Sequence, residues 1–109
     1  VTHTRLTLVY QGKEYELSDA HPILTIGRVE GNDVVVATDL TSRKHSEIKL
    51  SRGRFYLSDN SSNGTSLVPE GEAQQMLRRD KATLGESGEI CFGGKPDENL
   101  TGIARFTCE

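Results

Sequence analysis

Apolar and polar residues follow one another along this chain in short strand-like runs, most of them alternating with a period of two. The runs are residues 5–10, 14–17, 23–26, 34–36, 47–50, 54–57, 65–68, 89–92 and 103–106. Such alternation sends successive side chains to opposite faces of an extended chain, so each run predicts a strand with one buried face. Turn residues separate them: Gln11-Gly12, Glu30-Gly31-Asn32-Asp33, Ser51-Arg52-Gly53, Pro69-Glu70-Gly71 and Gly93-Gly94-Lys95-Pro96. Gly or Asn stands in these turns where a positive φ is expected. Many short strands on this rhythm predict an all-β, antiparallel β-sandwich. The stretch 71–79 holds good helix formers, Ala73 to Leu77 among them, and is nonetheless read as strand.

Length bounds the answer to one domain spanning residues 1–109, since no repeat or low-complexity linker divides the chain. Leu, Ile, Val and Phe together number 26, enough to expect a folded core. There is no apolar run of the ~20 residues that a membrane span requires, and the start of the chain shows no signal-peptide pattern. A cytoplasmic protein that does not engage the membrane is therefore expected. The 13 Lys and Arg stand against 16 Asp and Glu, a net charge of −3, which argues against nucleic acid and anionic lipid as partners. Cys91 and Cys108 form no CxxC pair, and His3, His21 and His45 lack metal-ligand spacing, so neither a metal nor a cofactor is expected. The two cysteines read as reduced, partly buried thiols; a disulfide between them would need their strands to pair.

In a small sandwich, function is expected on loops at one end. Two loops are unusually polar, Thr38 to Ser46 and Ser58 to Thr65, and Gly27-Arg28 closes an apolar strand. Arg28, Arg43 and Lys44 are cationic donors, Ser42, Ser46, Ser61 and Ser62 supply hydroxyls, and Asn60 and Asn63 supply amides. Together they suit a phosphate, which offers several strong acceptor oxygens that an arginine fork can meet. Ser42, His45 and Asp59 can be drawn as a hydrolytic triad, but no nucleophile elbow or oxyanion hole accompanies them, and the domain is read as non-catalytic. Asp59-x-Ser61-x-Asn63-Gly64 with Glu70 imitates a calcium loop, yet the flanking sequence alternates as strand where that motif needs helices. His45 is read as a buried strut whose two ring nitrogens tie one loop to the next.

Three blocks in order, Ile26-Gly27-Arg28, Ser42-Arg43-Lys44-His45 and Asp59-Asn60-Ser61-Ser62-Asn63-Gly64-Thr65, resemble the forkhead-associated (FHA) domain. About 14 residues separate the first block from the second, and a similar gap leads to the third. The resemblance implies a sandwich of about eleven strands that recognises phosphothreonine in a partner protein and so mediates phosphorylation-dependent contacts in signalling. It makes Arg28 and Ser42 the principal phosphate ligands, adds Arg43 and Ser62 to phosphate or peptide, and sets Asn63 on the peptide main chain. Gly27, His45, Gly64 and Thr65 would shape the loops. Leu40, two before Ser42, would help to read a residue C-terminal to the phosphothreonine, with an apolar preference expected. The segments Met76 to Asp80 and Gly85 to Gly93, with the last four residues, also resemble FHA domains attached to bacterial class III adenylate or guanylate cyclases. The partner would then be a phosphothreonine protein, or a modified segment of the domain's own longer chain. The other reading is a phospho-independent scaffold that docks or dimerises to regulate a fused enzyme.

Overall fold

The computed structural model describes residues 3–109. Eleven strands appear: β1 (Leu6–Tyr10), β2 (Lys13–Leu17), β3 (Ile23–Gly27), β4 (Val34–Val35), β5 (Ser46–Ser51), β6 (Arg54–Asp59), β7 (Thr65–Pro69), β8 (Gln75–Leu77), β9 (Lys81–Thr83), β10 (Ser87–Phe92) and β11 (Ile103–Cys108). One 3-10 turn, Leu100–Gly102, precedes β11. No helix among the described residues is long and apolar enough to cross a membrane.

The strands form a six-stranded sheet, β2-β1-β11-β10-β7-β8, facing a five-stranded sheet, β4-β3-β5-β6-β9. Alternation decides what lies between them: Leu6, Leu8, Leu17, Ile90, Ala104 and Phe106 point in from the first sheet, and Leu24, Ile26, Ile48, Phe55 and Leu57 from the second. Each large side chain so removed from water contributes on the order of 2 kcal/mol. The β1–β2 and β5–β6 hairpins close on Gln11-Gly12 and Arg52-Gly53, with φ of 49°, 79°, 53° and 75°. Two successive left-handed residues make the type of turn whose twist matches the strands it joins.

Two details of the expected sandwich are refined, and one alternative left open by the sequence closes. The sandwich is not wholly antiparallel, because β4 runs parallel to β3, pairing Ile26 with Val34 and Gly27 with Val35. Of the stretch 71–79, only Gln75–Leu77 is strand; the preceding residues turn at Gly71, whose φ is +76°. A disulfide is ruled out by register. Although β10 and β11 pair, Cys91 faces Ile103 while Cys108 lies at the other end of β11 beside Leu6, about 16 Å away at strand rise.

Both thiols are buried, and burial pushes each up to about 11, with Glu98 and Asp97 adding to the effect at Cys91. The thiolate is the reactive form, so a thiol-specific chromogenic reagent at pH 8 is expected to find no fast-reacting group in the native protein and two after denaturation. Fast native reaction would contradict this burial.

Candidate functional site

The strand registers bring the polar loops to one end. Ile26 pairs with Ser46 and Ser46 with Asp59, so β3 ends where β5 starts and β6 ends. In the other sheet Thr65 opens β7 opposite Phe92, the last residue of β10. The two rows meet where the Ser46 and Thr65 hydroxyls lie 2.7 Å apart. Because Thr65 Oγ1 donates to Asp59 Oδ1 at 2.6 Å, the Ser46 hydroxyl supplies the proton between them.

Asp59 is the hub of the β6–β7 loop. Its carboxylate accepts from Ser61 Oγ (2.6 Å), Ser61 N–H (3.3 Å), Thr65 Oγ1 and the Arg79 N–H (2.9 Å). Ser61 Oγ in turn accepts from the Gly64 N–H at 2.8 Å. Gly64 has φ +87°, a left-handed conformation that selects glycine, and a Cβ there would also press on Met76 Sδ and stand 3.2 Å from Leu77 O. With its oxygens turned to protein donors, and Glu70 at the far end of β7, Asp59 does not head a calcium loop.

His45 is the buried strut. It is fully buried, its Nδ1 accepts the Ser42 N–H at 2.9 Å, and its Nε2 therefore carries the proton and donates to Gly64 O at 2.9 Å. Its ring stands at right angles to that of Phe92, the centroids 6.2 Å apart. The contact to Ser42 is through the backbone, not the hydroxyl, and the ring nitrogen nearest Asp59 is the one committed to Gly64. A triad would need the opposite arrangement.

Burial holds the His45 imidazole below its ordinary value of 6.5, outweighing the Gly64 carbonyl and the Asp59 charge, which act the other way. The unfolded chain thus takes up a proton at a pH where the folded one does not. Stability is retained above pH 6.5 and lost as pH falls from there toward the lowered folded value, at up to about 1.4 kcal/mol per pH unit. Urea unfolding between pH 7 and 5 is expected to show this slope, and to lose it in His45→Gln. Equal slopes in both proteins would contradict the assignment.

The β4–β5 loop is tied to its neighbours at several points. Thr41 is buried and its hydroxyl donates to Phe92 O at 2.6 Å, while Asn63 Nδ2 donates to Leu40 O at 3.0 Å. Ser42 Oγ accepts the Ser62 N–H at 3.1 Å, and Ser42 O accepts the Arg28 N–H at 3.0 Å. Gly27 is glycine because a Cβ would lie 2.0 Å from Arg43 O; that same carbonyl accepts from Asn32 Nδ2 at 2.9 Å.

Ser42, His45, Ser62, Asn63 and Gly64 therefore come together in one cluster, with Arg28 tied to Ser42 through its backbone N–H, Arg43 next to Ser42 in the chain with its carbonyl held by Asn32, and Thr65 following Gly64 as the first residue of β7. The side chains of Arg28, Arg43 and Lys44 are exposed, and among the described residues none has a carboxylate partner or a hydrogen bond. Chemically, this end offers three free cations around hydroxyls and loop amides, the requirements of a small anion. Sequence reasoning did not find Asn32 or Thr41 as loop braces, and it considered Asp59 for the wrong chemistry. The only hint for Asp59 was the Asp-x-Ser spacing of a local side-chain turn.

A β-sandwich that gathers its polar loops at one end around unpaired cations is a recognition scaffold in which loops carry the contacts. A family model for the FHA domain matches residues 24–93, and the chain belongs to that family, whose domains are generally interaction modules without catalytic activity. Similar solved structures include the Mycobacterium tuberculosis Rv1747 FHA-1 domain, at 26% identity and TM-score 0.71, covering 97% of both chains. Mycobacterium tuberculosis EmbR, in complex with a low-affinity phosphopeptide, matches at 24% identity and TM-score 0.69; 97% of this chain corresponds to 24% of that one. The MEK1 FHA domain in complex with a HOP1 phosphothreonine peptide matches at 19% and 0.72, covering 95% and 96%. At these identities the last two bear on the fold. No curated protein sequence matches the chain.

Proposed function

We propose that residues 1–109 form one FHA domain that binds phosphothreonine peptides and thereby brings a kinase-modified partner to the larger assembly. The observation that carries this reading is the bond from the Ser62 N–H to Ser42 Oγ, which locks two loops beside Arg28 and Arg43, cations without carboxylate partners among the described residues. In this reading Arg28 forks onto the phosphate and Ser42 and Ser62 add hydroxyl contacts. Arg43 reaches phosphate or peptide backbone. Asn63, seated on Leu40 O, holds the peptide main chain. Gly27, His45, Gly64 and Thr65 keep the loops in place before the ligand arrives, so little ordering cost falls on binding.

Leu40 lines a hollow of about 270 Å³ with Asn63, Met76, Arg78, Lys95 and Glu98. Leu40 and Met76 supply apolar surface there, in keeping with an apolar residue C-terminal to the phosphothreonine. Such an exposed site fits micromolar affinity, about −8 kcal/mol. The domain would act in the cytoplasm, where kinases supply the modified threonine, either free of other enzymes or fused to a nucleotidyl cyclase.

Titration calorimetry with one peptide in phosphothreonine, phosphoserine and unphosphorylated forms tests the reading. The phosphothreonine form is expected to bind best, the phosphoserine form about fivefold more weakly for want of one methyl, and the unphosphorylated form not at all. A constant dimer by light scattering, with no preference among the three peptides, would favour a phospho-independent docking domain instead.

A further inference from the structure

The cluster around Ser42 has a hollow on each side. Along the β4–β5 loop the chain passes from Leu40 in one hollow, through Ser42, to Lys44 in the other; along the β6–β7 loop it passes from Asn60 beside Lys44, through Ser62, to Asn63 beside Leu40. The hollow at Lys44 measures about 250 Å³ and includes Thr25, Asn32 and Glu47. Its lining residue Glu47 also lines a second hollow of about 540 Å³ on the outer face of the five-stranded sheet, where Lys49, Arg52, Tyr56, Ser58 and Lys81 lie.

Charge on this surface is mostly positive, although the Asp33 carboxylate is bonded to Thr25 at the edge of the first hollow. Lys44, Lys49, Arg52 and Lys81 line the two hollows, and Glu47 is the one carboxylate among the described residues that does so. Strand alternation places Arg54 on the same outer face as Tyr56 and Ser58. None of these cations has a carboxylate partner among the described residues. In a chain with a net charge of −3, this face is a marked concentration of positive charge, and the acidic residues Glu14 and Glu16 are exposed on β2 of the other sheet.

We propose that this outer face binds an acidic segment of the same partner that carries the phosphothreonine, on the flank directed away from Leu40. The inference rests on the phosphothreonine reading above. Lys44 belongs to the loop that holds Ser42 and lines the hollow that shares Glu47 with the sheet face, so a peptide anchored at Ser42 and extended past Lys44 reaches that face. Lys49 lies five residues beyond Lys44, about 16 Å of extended chain, so the acidic residues would stand roughly four to seven positions from the phosphothreonine. Exposed charges attract at this range but are screened by salt, which makes the effect a modest gain in affinity and association rate.

The experiment is calorimetry with three phosphothreonine peptides: neutral flanks, an acidic block N-terminal to the phosphothreonine, and the same block C-terminal. An unphosphorylated acidic peptide serves as control. The peptide with the N-terminal block is expected to bind about five- to tenfold more tightly than the neutral one at low ionic strength, and a gain seen only with the C-terminal block would overturn the inference. The N-terminal gain is expected to vanish in the Lys49→Ala, Lys81→Ala double variant and to shrink with added salt, while the neutral phosphopeptide binds both proteins alike. Equal binding of all three peptides, a gain that survives in the double variant, or tight binding of the unphosphorylated acidic peptide would overturn the inference alone. A concentration-dependent dimer lost in the double variant would give the face to a second copy and overturn it too. Failure of the neutral phosphopeptide to bind the parent protein would overturn the phosphothreonine reading and this inference with it.

Discussion

Replacing Arg28 by alanine is expected to weaken phosphothreonine-peptide binding by at least about a hundredfold while leaving the unfolding temperature unchanged. The two halves of that expectation have separate causes. The guanidinium is exposed and makes no hydrogen bond or ion pair among the described residues, so the fold gains nothing from it; Arg28 joins the loop cluster through its backbone N–H, which alanine keeps. A phosphate held by an arginine fork, by contrast, loses two charge-assisted hydrogen bonds, about 3 kcal/mol or more together. Calorimetric titration of a phosphothreonine peptide library against parent and variant reads the first half, and thermal unfolding reads the second. Undiminished binding would remove Arg28 from the site.

Asp59→Ala is expected to act in the opposite sense, through stability. Its side chain is fully buried and its carboxylate receives the Ser61 N–H and hydroxyl, the Thr65 hydroxyl and the Arg79 N–H. Alanine would strand these buried donors, at a cost of about 3–5 kcal/mol. Since Ser61 also holds the Gly64 N–H, the loop that carries Ser62 and Asn63 would loosen, and peptide binding would fall even below the unfolding temperature. Urea denaturation with Asp59→Asn beside it separates the causes, because the amide keeps one acceptor oxygen and should recover part of the loss. A change below about 1 kcal/mol in the alanine variant would show that the hub is not what holds the loop.

Much of the architecture could be read from the chain because alternation is a local signal. A buried face writes itself as every second residue, and the strands at Leu6–Tyr10, Ile23–Gly27, Arg54–Asp59 and Ile103–Cys108 fall within two residues of the expected runs. The parallel pairing of β4 was not legible, since a strand of two residues has no period and its partner is chosen by how the chain returns past Gly27. Helix formers at 73–77 mislead only about length: their intrinsic preference yields to pairing with β7 at Gln75–Leu77. At the site, His45 was legible as a strut because its two nitrogens can join two loops. Asp59, Thr41 and Asn32 were not. Short polar residues in polar loops look alike in sequence, and only packing decides which are taken from water and must be satisfied by their neighbours. Gly27 is a similar case, as its need for a missing side chain arises from the Arg43 carbonyl of another loop.

The central claim is that three loops, fixed in advance by His45 and Asp59, form one phosphate-reading surface. Backbone amide NMR shifts recorded during titration with a phosphothreonine peptide and its dephosphorylated twin test it most directly. The phosphorylated peptide is expected to move the amide signals of Arg28, Ser42, Arg43, Ser62 and Asn63 in saturable fashion, with little change along β1, β2 and β11, and the twin to move none of them. Shifts confined to strands away from these loops, or identical shifts with both peptides, would contradict it.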